Sequence, residues 1–161
     1  MRAVIGIGAN LGDRLATMRD AVRRIEGIAG VRSNARSTVY ETAPVGLVDQ
    51  PAFLNAAISV ECTISPRALL ETLLAIEKAL GRTRSVSEVR WGPRVIDLDV
   101  LWIDGVVLDD PGLVVPHPRL TERAFALVPL LEVAADAVDP RTNRAFVAVV
   151  DADVRATSLS L

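Results

Sequence analysis

The segment RWGPRVIDLDVLW contains two acidic residues in an arrangement that suggests metal binding. In a β-strand, residues two apart point to the same side of the sheet, so Asp97 and Asp99 are expected to present their carboxylates together. Two adjacent like charges repel, and this arrangement normally demands a cation. Oxygen ligands without histidine or cysteine favour Mg²⁺, which takes one or two carboxylates plus phosphates. The segment therefore predicts a magnesium site that handles phosphate groups.

An Asp-x-Asp pair is weak evidence by itself, because two aspartates can simply solvate an exposed strand face. The stretch before the strand is rich in guanidinium groups, contributed by Arg82, Arg84, Arg90 and Arg94. Arginine matches the geometry of phosphate oxygens, so this stretch is a candidate clamp for a polyphosphate. The arginines could instead only pair with the aspartates, an alternative that leaves the rigid turn at Trp91-Gly92-Pro93 unexplained.

The motif VPHPRLTERAF contains the one histidine of the chain, His117, between Pro116 and Pro118. A lone histidine is usually structural, but prolines on both sides restrict the backbone and give the imidazole a fixed direction. Arg119 and Arg123 follow closely, so a further phosphate contact is predicted here. A role as general base is less favoured, because phosphoryl transfer depends more on positioning and charge than on proton abstraction.

The motif QPAFLNAA suggests a site for a flat organic substrate. Phe53 and Asn55 fall two apart and would share a face at the start of a strand. An aromatic ring beside an amide can stack on a heterocycle and read its hydrogen-bonding edge. Alone this is weak evidence, because Phe53 could equally belong to the core.

The opening GIGANLG follows a predicted strand and precedes a predicted helix, as a dinucleotide-binding fingerprint does. The spacing of Gly6, Gly8 and Gly12 is one residue longer than G-x-G-x-x-G, and no parallel βαβ continuation follows, so that interpretation is rejected. A tight turn with Asn10 helping to cap the helix is predicted instead.

The composition indicates a single domain spanning residues 1–161. With 161 residues, 50% of them hydrophobic, the chain can bury one core but not two ordinary ones. A net charge of −2 does not attract nucleic acid or an anionic membrane, so neither partner is expected. The single cysteine, Cys62, rules out an internal disulfide and is predicted to be a small buried residue. No stretch resembles a signal peptide or a transmembrane helix, so a soluble cytoplasmic protein is predicted.

Hydrophobic periodicity predicts the order of strands and helices. Strands are expected at Arg2 to Gly8, Val31 to Tyr40, Leu54 to Thr63, Val95 to Ile103 and, after a turn at Asp104-Gly105, Val106 to Leu108. Helices are expected from about Asp13 to Gly27, from Ser65-Pro66 to Gly81 and, in part, from Arg119 to Ala134. Pro129 should kink or interrupt the last helix. Adjacent antiparallel strands mixed with helical crossovers favour an α+β fold over a doubly wound sheet.

Six segments occur together in the order and approximate spacing of one family: GIGANLGDR, YETAPVG, DQPAFLNAA, EKALGRTR, RWGPRVIDLDVLW and VPHPRLTERAF. Over nearly its whole length the chain resembles 6-hydroxymethyl-7,8-dihydropterin pyrophosphokinase, and RWGPRVIDLD is the most specific match. The resemblance implies a ferredoxin-like α+β fold with a mainly antiparallel sheet. It also implies that the β,γ-diphosphate of ATP is transferred to the pterin hydroxyl with two Mg²⁺ ions, leaving AMP, in folate biosynthesis. A monomer is expected.

The resemblance further implies roles for individual residues. Catalysis is assigned to Arg82, Arg84, Arg94, Asp97 and Asp99, with both aspartates as metal ligands. Contacts with ATP are assigned to Glu77, Arg90, Val100, His117 and Arg123. Contacts with the pterin are assigned to Thr42, Val45, Phe53, Asn55 and Phe125, where the two phenylalanines match the stacking aromatics. Leu74, Ser85 and Pro118 depart from some relatives, which affects individual ATP contacts rather than the reaction.

Two other functions are compatible with the same residues. A nucleotidyltransferase would keep the metal pair but would release pyrophosphate, where a pyrophosphokinase releases AMP. A ferredoxin-like regulatory module would bind a nucleotide without turnover, and replacing Asp97 would then change little beyond affinity.

Overall fold

Strands and helices alternate largely in the order that the hydrophobic pattern predicts. The computed structural model describes residues 1–44, 49–82, 93–148 and 151–161. In these ranges the helices are α1 (Arg14–Glu26), α2 (Pro66–Ala79) and α3 (Ala124–Val133), with a short 3-10 helix at Leu120–Glu122. The strands of the main sheet are β1 (Arg2–Ala9), β2 (Val31–Arg36), β3 (Tyr40–Thr42), β4 (Phe53–Cys62), β5 (Asp97–Ile103) and β10 (Val154–Ala156). Two small hairpins are formed by β6 (Leu108–Asp110) with β7 (Leu113–Val115) and by β8 (Val138–Asp139) with β9 (Arg144–Ala145).

The main sheet has the strand order β10-β3-β4-β1-β5, and β2 also pairs with β4. Neighbouring strands are antiparallel at every pairing in the described residues. Helix α1 connects β1 to β2, and helix α2 connects β4 to β5. When β2 and β3 are counted together as the second strand, the order is β-α-β-β-α-β, and the first and third strands, β1 and β4, lie side by side in the centre. This arrangement confirms the predicted ferredoxin-like α+β fold.

Alternate residues of the central strand β1 face two different layers of the protein. Ile5 and Ile7 belong to a core cluster that includes Leu73 of α2. Val4 points to the opposite face, where it joins a second cluster with Leu127 of α3. The sheet is therefore buried on both faces, with α1 and α2 on one side and α3 on the other, which explains the long apolar runs in β1 and β4.

The starts of the first two helices are capped by side chains. Ser65 accepts a hydrogen bond from a backbone N–H in the first turn of α2 at 3.2 Å, and Pro66 occupies the first helical position, as predicted. Asp13 caps α1 in the same way at 3.1 Å. The predicted capping role of Asn10 is therefore wrong, because Asp13 already fills that position.

The predicted hairpin after β5 is also wrong. A tight turn forms at Asp104 and Gly105, but β6 pairs with β7 and not with β5. The outer edge of β5 is taken by the segment after β7, where the backbone N–H of His117 donates to the carbonyl of Leu101 at 2.8 Å. Asp-Gly selects a tight turn locally, whereas the partner of the next strand is decided by distant packing.

Two other elements differ from their predicted extent. The stretch from Val31 to Tyr40 forms two separate strands, β2 and β3, that pair with successive parts of β4 and have a register shift between Ser33 and Ala35. Helix α3 continues through Pro129 to Val133, so the predicted interruption is wrong. Proline removes one hydrogen bond from a helix, and burial of the apolar side of α3 against the sheet outweighs that loss.

Two expectations from composition can be compared directly with the structure. Cys62 is only 3% exposed and packs in the core cluster, as predicted for a small apolar residue. In the part of the chain that is described, no helix combines the length and apolar character needed to cross a bilayer.

Candidate active site

The site lies on the face of the sheet that α3 only partly covers, and its floor is built by three neighbouring strands. Asn55 of β4 and Asp97 of β5 flank Gly8 of β1, so these three residues form one row across the sheet. Gly6 lies between Ala57 and Asp99 in the next row. Asp97 and Asp99 therefore point to the same face, as predicted, and the glycines leave space between the polar side chains.

The two glycines of this floor accommodate close neighbours. A Cβ atom at Gly8 would lie 3.0 Å from the Asn55 side-chain oxygen, which is tighter than ordinary contacts. A Cβ atom at Gly6 would lie 3.0 Å from a methyl carbon of Leu101. A side chain at either position would therefore require its neighbour to move by a few tenths of an ångström.

Asp97 is held by two arginines. Arg94 Nη1 donates to one carboxylate oxygen at 2.5 Å, and Arg82 Nη1 donates to the other. The Asp97 side chain keeps 22% of its surface exposed, so this carboxylate lies at the edge of the site and not deep in the core. The pairing of arginines with Asp97, which the sequence left as an alternative, is present in the structure. It also brings two guanidinium groups to the carboxylate that is predicted to bind metal.

Asp99 has an electrostatic environment that opposes its ionisation. Burial raises the pKa of this carboxyl group to about 7, and the negative charges of Asp97 and Glu77 add to the shift. The guanidinium groups of Arg123 and Arg94 act in the opposite direction but do not offset it. The two aspartates thus carry a repulsion that a bound cation would relieve.

Glu77 fixes the position of Arg82. Its carboxylate is only 1% exposed, and Oε1 accepts hydrogen bonds from Arg82 Nη1 and from the Leu98 backbone N–H, both at 2.7 Å. The same guanidinium group reaches the carbonyl of Ile96 at 3.3 Å. Glu77 was predicted to contact ATP, whereas these contacts join α2 to the edge strand β5 and support Arg82.

His117 and Arg123 also lie near the carboxylate pair. The Arg119 backbone N–H donates to His117 Nδ1 at 3.2 Å. Arg123 Nη1 lies 3.5 Å from the other ring nitrogen, Nε2. Burial lowers the pKa of His117 to about 4, and the positive charge of Arg123 adds to this shift while Asp97 opposes it. His117 is therefore neutral at physiological pH and can donate one hydrogen bond.

Two described residues that are predicted to contact the pterin, Phe53 and Asn55, lie on the same face of the sheet, on the part of β4 that pairs with β3. Asn55 is 7% exposed and donates from Nδ2 to the Thr42 hydroxyl at 2.7 Å, which fixes the orientation of the amide. Phe53 shares the face of Asn55 and is half-buried. Phe125, at the start of α3, is also half-buried, and the Arg123 guanidinium carbon lies 5.8 Å from its ring centre.

Four of the predicted positions cannot be described in the same way. Arg84, Arg90 and Val45 lie outside the described residues, as does the departure at Ser85. The side chain of Val100 is 5% exposed and belongs to the core cluster on the opposite face of the sheet. Any contact of Val100 with ATP would therefore have to come from its backbone.

Asn10 is part of the site although the sequence was interpreted differently. It is 1% exposed and lies at the end of β1, immediately after the glycine floor. Its side chain accepts a hydrogen bond from the Arg94 backbone N–H at 2.7 Å and donates to Gln50 Oε1 at 2.9 Å and to the Pro51 carbonyl at 3.2 Å. Its own backbone N–H donates to the Arg94 carbonyl at 3.1 Å. Nothing in the local sequence indicates these distant partners.

The donor set of the site fits a hard divalent cation that is completed by a substrate. In the described ranges, no group of three or more acidic, histidine or cysteine side chains is placed to hold a metal on its own. Mg²⁺ commonly binds through one or two carboxylates together with phosphates, and the strand-borne aspartate pair matches this pattern. Among the described residues, the carboxylates of Glu77, Asp97 and Asp99 lie close to the guanidinium groups of Arg82, Arg94 and Arg123.

An antiparallel α+β sheet that carries paired carboxylates among arginines defines a protein suited to phosphoryl-type transfer. A comparison with family models identifies it further, because the model of 7,8-dihydro-6-hydroxymethylpterin-pyrophosphokinase (HPPK) matches residues 4–135. The chain belongs to this family. The match includes every site residue described above.

Two curated relatives have similar sequences over most of their length. The 2-amino-4-hydroxy-6-hydroxymethyldihydropteridine pyrophosphokinase of Methylorubrum extorquens is 50% identical over 137 residues, which is 85% of this chain and 85% of the relative. The enzyme of the same description from Bacillus subtilis is 46% identical over 131 residues, which is 81% of this chain and 77% of the relative.

Solved structures of larger proteins share the fold. A crystal structure of HPPK-DHPS in complex with substrates superposes with a TM-score of 0.67 at 13% identity and covers 90% of this chain. Wild-type HPPK-DHPS of Plasmodium falciparum gives a TM-score of 0.64, also at 13% identity. This chain spans 42% of each of these solved chains. At this identity the likeness supports the fold alone.

Replacing Gly8 with alanine is expected to weaken pterin binding while leaving ATP binding close to normal. The new methyl group would press on the Asn55 oxygen and rotate the amide away from Thr42. Loss of one such hydrogen bond corresponds to a roughly 10-fold increase in the dissociation constant for the pterin, measured by fluorescence titration. Gly6→Ala is the matched control, because its methyl group meets Leu101 and not Asn55. Equal weakening by both variants would contradict a specific role of Asn55.

The single histidine allows its protonation to be measured directly by NMR. The imidazole C–H signals of the folded protein should titrate with a midpoint at about 4 and not near the ordinary value of 6.5. Because the unfolded chain then binds the proton more readily, this group should lower the free energy of unfolding as the pH falls from about 6.5 to 4. A midpoint close to that of the urea-unfolded chain would show that His117 is not buried as described.

Proposed function

We propose that this site transfers the β,γ-diphosphate of ATP to the hydroxyl group of 6-hydroxymethyl-7,8-dihydropterin and releases AMP and the pterin diphosphate. The chain is an enzyme of the HPPK family and acts in folate biosynthesis. The observation that most strongly supports the detailed proposal is the carboxylate pair Asp97 and Asp99, which share one sheet face with arginines around them.

The arginines are assigned to the transferring diphosphate. Arg82 and Arg94 contact Asp97 through guanidinium groups that can also donate to phosphate oxygens. Because Arg82 donates a hydrogen bond to the buried Glu77 carboxylate, its guanidinium group is held in a fixed orientation. The family resemblance assigns Arg84 to the same function and Arg90 to a contact with ATP. Stabilising negative charge on the phosphate oxygens is the main requirement of this kind of transfer.

Asp97 and Asp99 are assigned to two Mg²⁺ ions. When bound, these ions would neutralise charge on the triphosphate and orient the acceptor hydroxyl. His117, as a neutral donor, and Arg123 are assigned to the triphosphate as well. The electrostatic interaction of Arg123 with Asp99 and that of His117 with Asp97 support this assignment, because both side chains lie near the aspartate pair.

Pterin recognition is assigned to the β3 side of the floor. Phe53 and Phe125 would stack on the two faces of the ring, and Asn55 would bond to its edge. The hydrogen bond from Asn55 to the buried Thr42 hydroxyl supports this assignment, since it directs the amide before the substrate arrives. Val45 is assigned to the same edge from the sequence. The hydroxymethyl group of the pterin would then lie toward the aspartates.

Several broader predictions accompany this function. We expect residues 1–161 to form one pyrophosphokinase domain that works as a monomer. The expected substrates are ATP and the pterin, and neither nucleic acid nor a membrane is an expected partner. We retain the cytoplasm as the expected location.

The products of the reaction distinguish this function from nucleotide transfer. With ATP, Mg²⁺ and 6-hydroxymethyl-7,8-dihydropterin, AMP and pterin diphosphate should form in equal amounts, as resolved by ion-exchange chromatography. A nucleotidyltransferase would instead release pyrophosphate and join AMP to the acceptor. Omitting Mg²⁺ with excess chelator is the control and should abolish both products. Release of pyrophosphate from the complete mixture would refute the proposal.

Replacing either aspartate by asparagine should reduce turnover by at least about 100-fold, because a neutral amide oxygen is a much weaker ligand for Mg²⁺ than a charged carboxylate. The two variants should differ in stability. Asp97→Asn weakens the contacts to Arg82 and Arg94, whereas Asp99→Asn removes a repulsion and should unfold at the same denaturant concentration as wild type or a higher one.

The matched control for these variants is Asp109→Asn, which changes an exposed aspartate of β6 and should keep full turnover. Turnover and denaturant unfolding are measured on the same preparations. If Asp97→Asn and Asp99→Asn were to retain turnover and only lose nucleotide affinity, the two carboxylates would serve in nucleotide binding and not in the transfer itself.

A further inference from the structure

Asn10 connects two parts of the site that are far apart in sequence. Through its side-chain nitrogen it binds Gln50 and Pro51, which lie just before the strand that carries Phe53 and Asn55. Through its side-chain oxygen and its backbone N–H it binds both backbone groups of Arg94. One buried amide thus contacts the pterin side and the phosphate side of the site.

The chemistry of these contacts requires an amide. The Arg94 backbone N–H can only donate, and the Pro51 carbonyl can only accept, so the residue between them must offer one acceptor and one donor on adjacent atoms. Aspartate would offer two acceptors, and alanine would offer none. At 1% exposure, solvent cannot replace a missing partner.

The contact with Arg94 also bears on the reacting groups. Arg94 lies three residues before Asp97, and its side chain donates to that carboxylate at 2.5 Å. With both its backbone groups held by Asn10, the start of the arginine side chain is fixed relative to β1. Displacements of about 1 Å at a reacting centre can cost roughly 100-fold in rate.

We propose that Asn10 is a positioning residue. It holds Arg94 and the Gln50–Pro51 segment in fixed positions relative to each other, so that the pterin and the diphosphate meet at the aspartates. The inference rests on the proposed function. Asn10 acts through its neighbours and contacts neither substrate. Helix capping does not account for it, because Asp13 caps α1.

The first test is Asn10→Asp, which can keep the bond to the Arg94 N–H but places a second oxygen against the Pro51 carbonyl. We expect an approximately 10-fold weaker affinity for the pterin by fluorescence titration and an approximately 10-fold to 100-fold slower single turnover by rapid quench. Asn10→Ala, which introduces no buried charge, is the second variant and should show both effects. Asn34→Asp makes the same change at an exposed position of β2 and should show neither.

The second test asks whether Asn10 acts through Arg94. Asn10→Ala is measured again in an Arg94→Ala background, where the backbone contacts can form but the guanidinium group is absent. If Asn10 positions that group, the slowing seen in the wild-type background should shrink to less than about twofold. The same fractional slowing in both backgrounds would overturn this part of the proposal.

Circular dichroism and thermal unfolding determine the folded fraction of each variant, and rates are expressed per folded molecule. A lower melting temperature with unchanged pterin affinity and unchanged single turnover would mean that Asn10 only stabilises the fold, and the proposal would be rejected. Failure of the wild-type protein to produce AMP under the same conditions would instead refute the proposed function. That result is separate from any effect of Asn10, since it is observed without a variant.

Discussion

The organisation of the site depends on two like charges placed side by side on one strand. Asp97 and Asp99 share a face of β5, and the repulsion between them contributes to the raised pKa of Asp99. The surrounding protein balances this charge with arginines from both sides, Arg82 and Arg94 near one carboxylate and Arg123 near the other. The same arginines can also bind a polyphosphate with its cations. The positive charge that stabilises the carboxylate pair therefore also suits the site to a phosphorylated substrate.

The position of β5 at the edge of the main sheet makes this arrangement possible. A central strand has neighbours on both sides, whereas the outer edge of β5 is open to side chains and loops. Glu77 binds the Leu98 N–H there, and the His117 N–H binds the Leu101 carbonyl. Both contacts satisfy edge groups that would otherwise be unpaired, and each brings a functional group, Arg82 or His117, to the aspartates.

Much of the fold and part of the site follow from sequence patterns, and the reasons for the exceptions are physical. The period of two in DLD placed both aspartates on one face, and Ser65 with Pro66 marked the start of α2, because these signals act between near neighbours. The partner of β6 and the role of Asn10 were predicted wrongly, because both depend on segments that only the fold brings together. The family resemblance named Glu77 as a functional residue, but no local pattern indicates its support of Arg82.

The glycines of β1 illustrate how one strand can serve stability and function at once. Ile5 and Ile7 bury one face against the helices, so β1 has the same apolar character as any central strand. Gly6 and Gly8 lie on the other face, where an added methyl group would make tight contacts with Leu101 and Asn55. A glycine in a strand weakens it, and the burial of the alternate isoleucines offsets that cost. The alternation that resembled part of a nucleotide-binding loop therefore has a different cause: it leaves space between the Asn55 amide and the carboxylate pair.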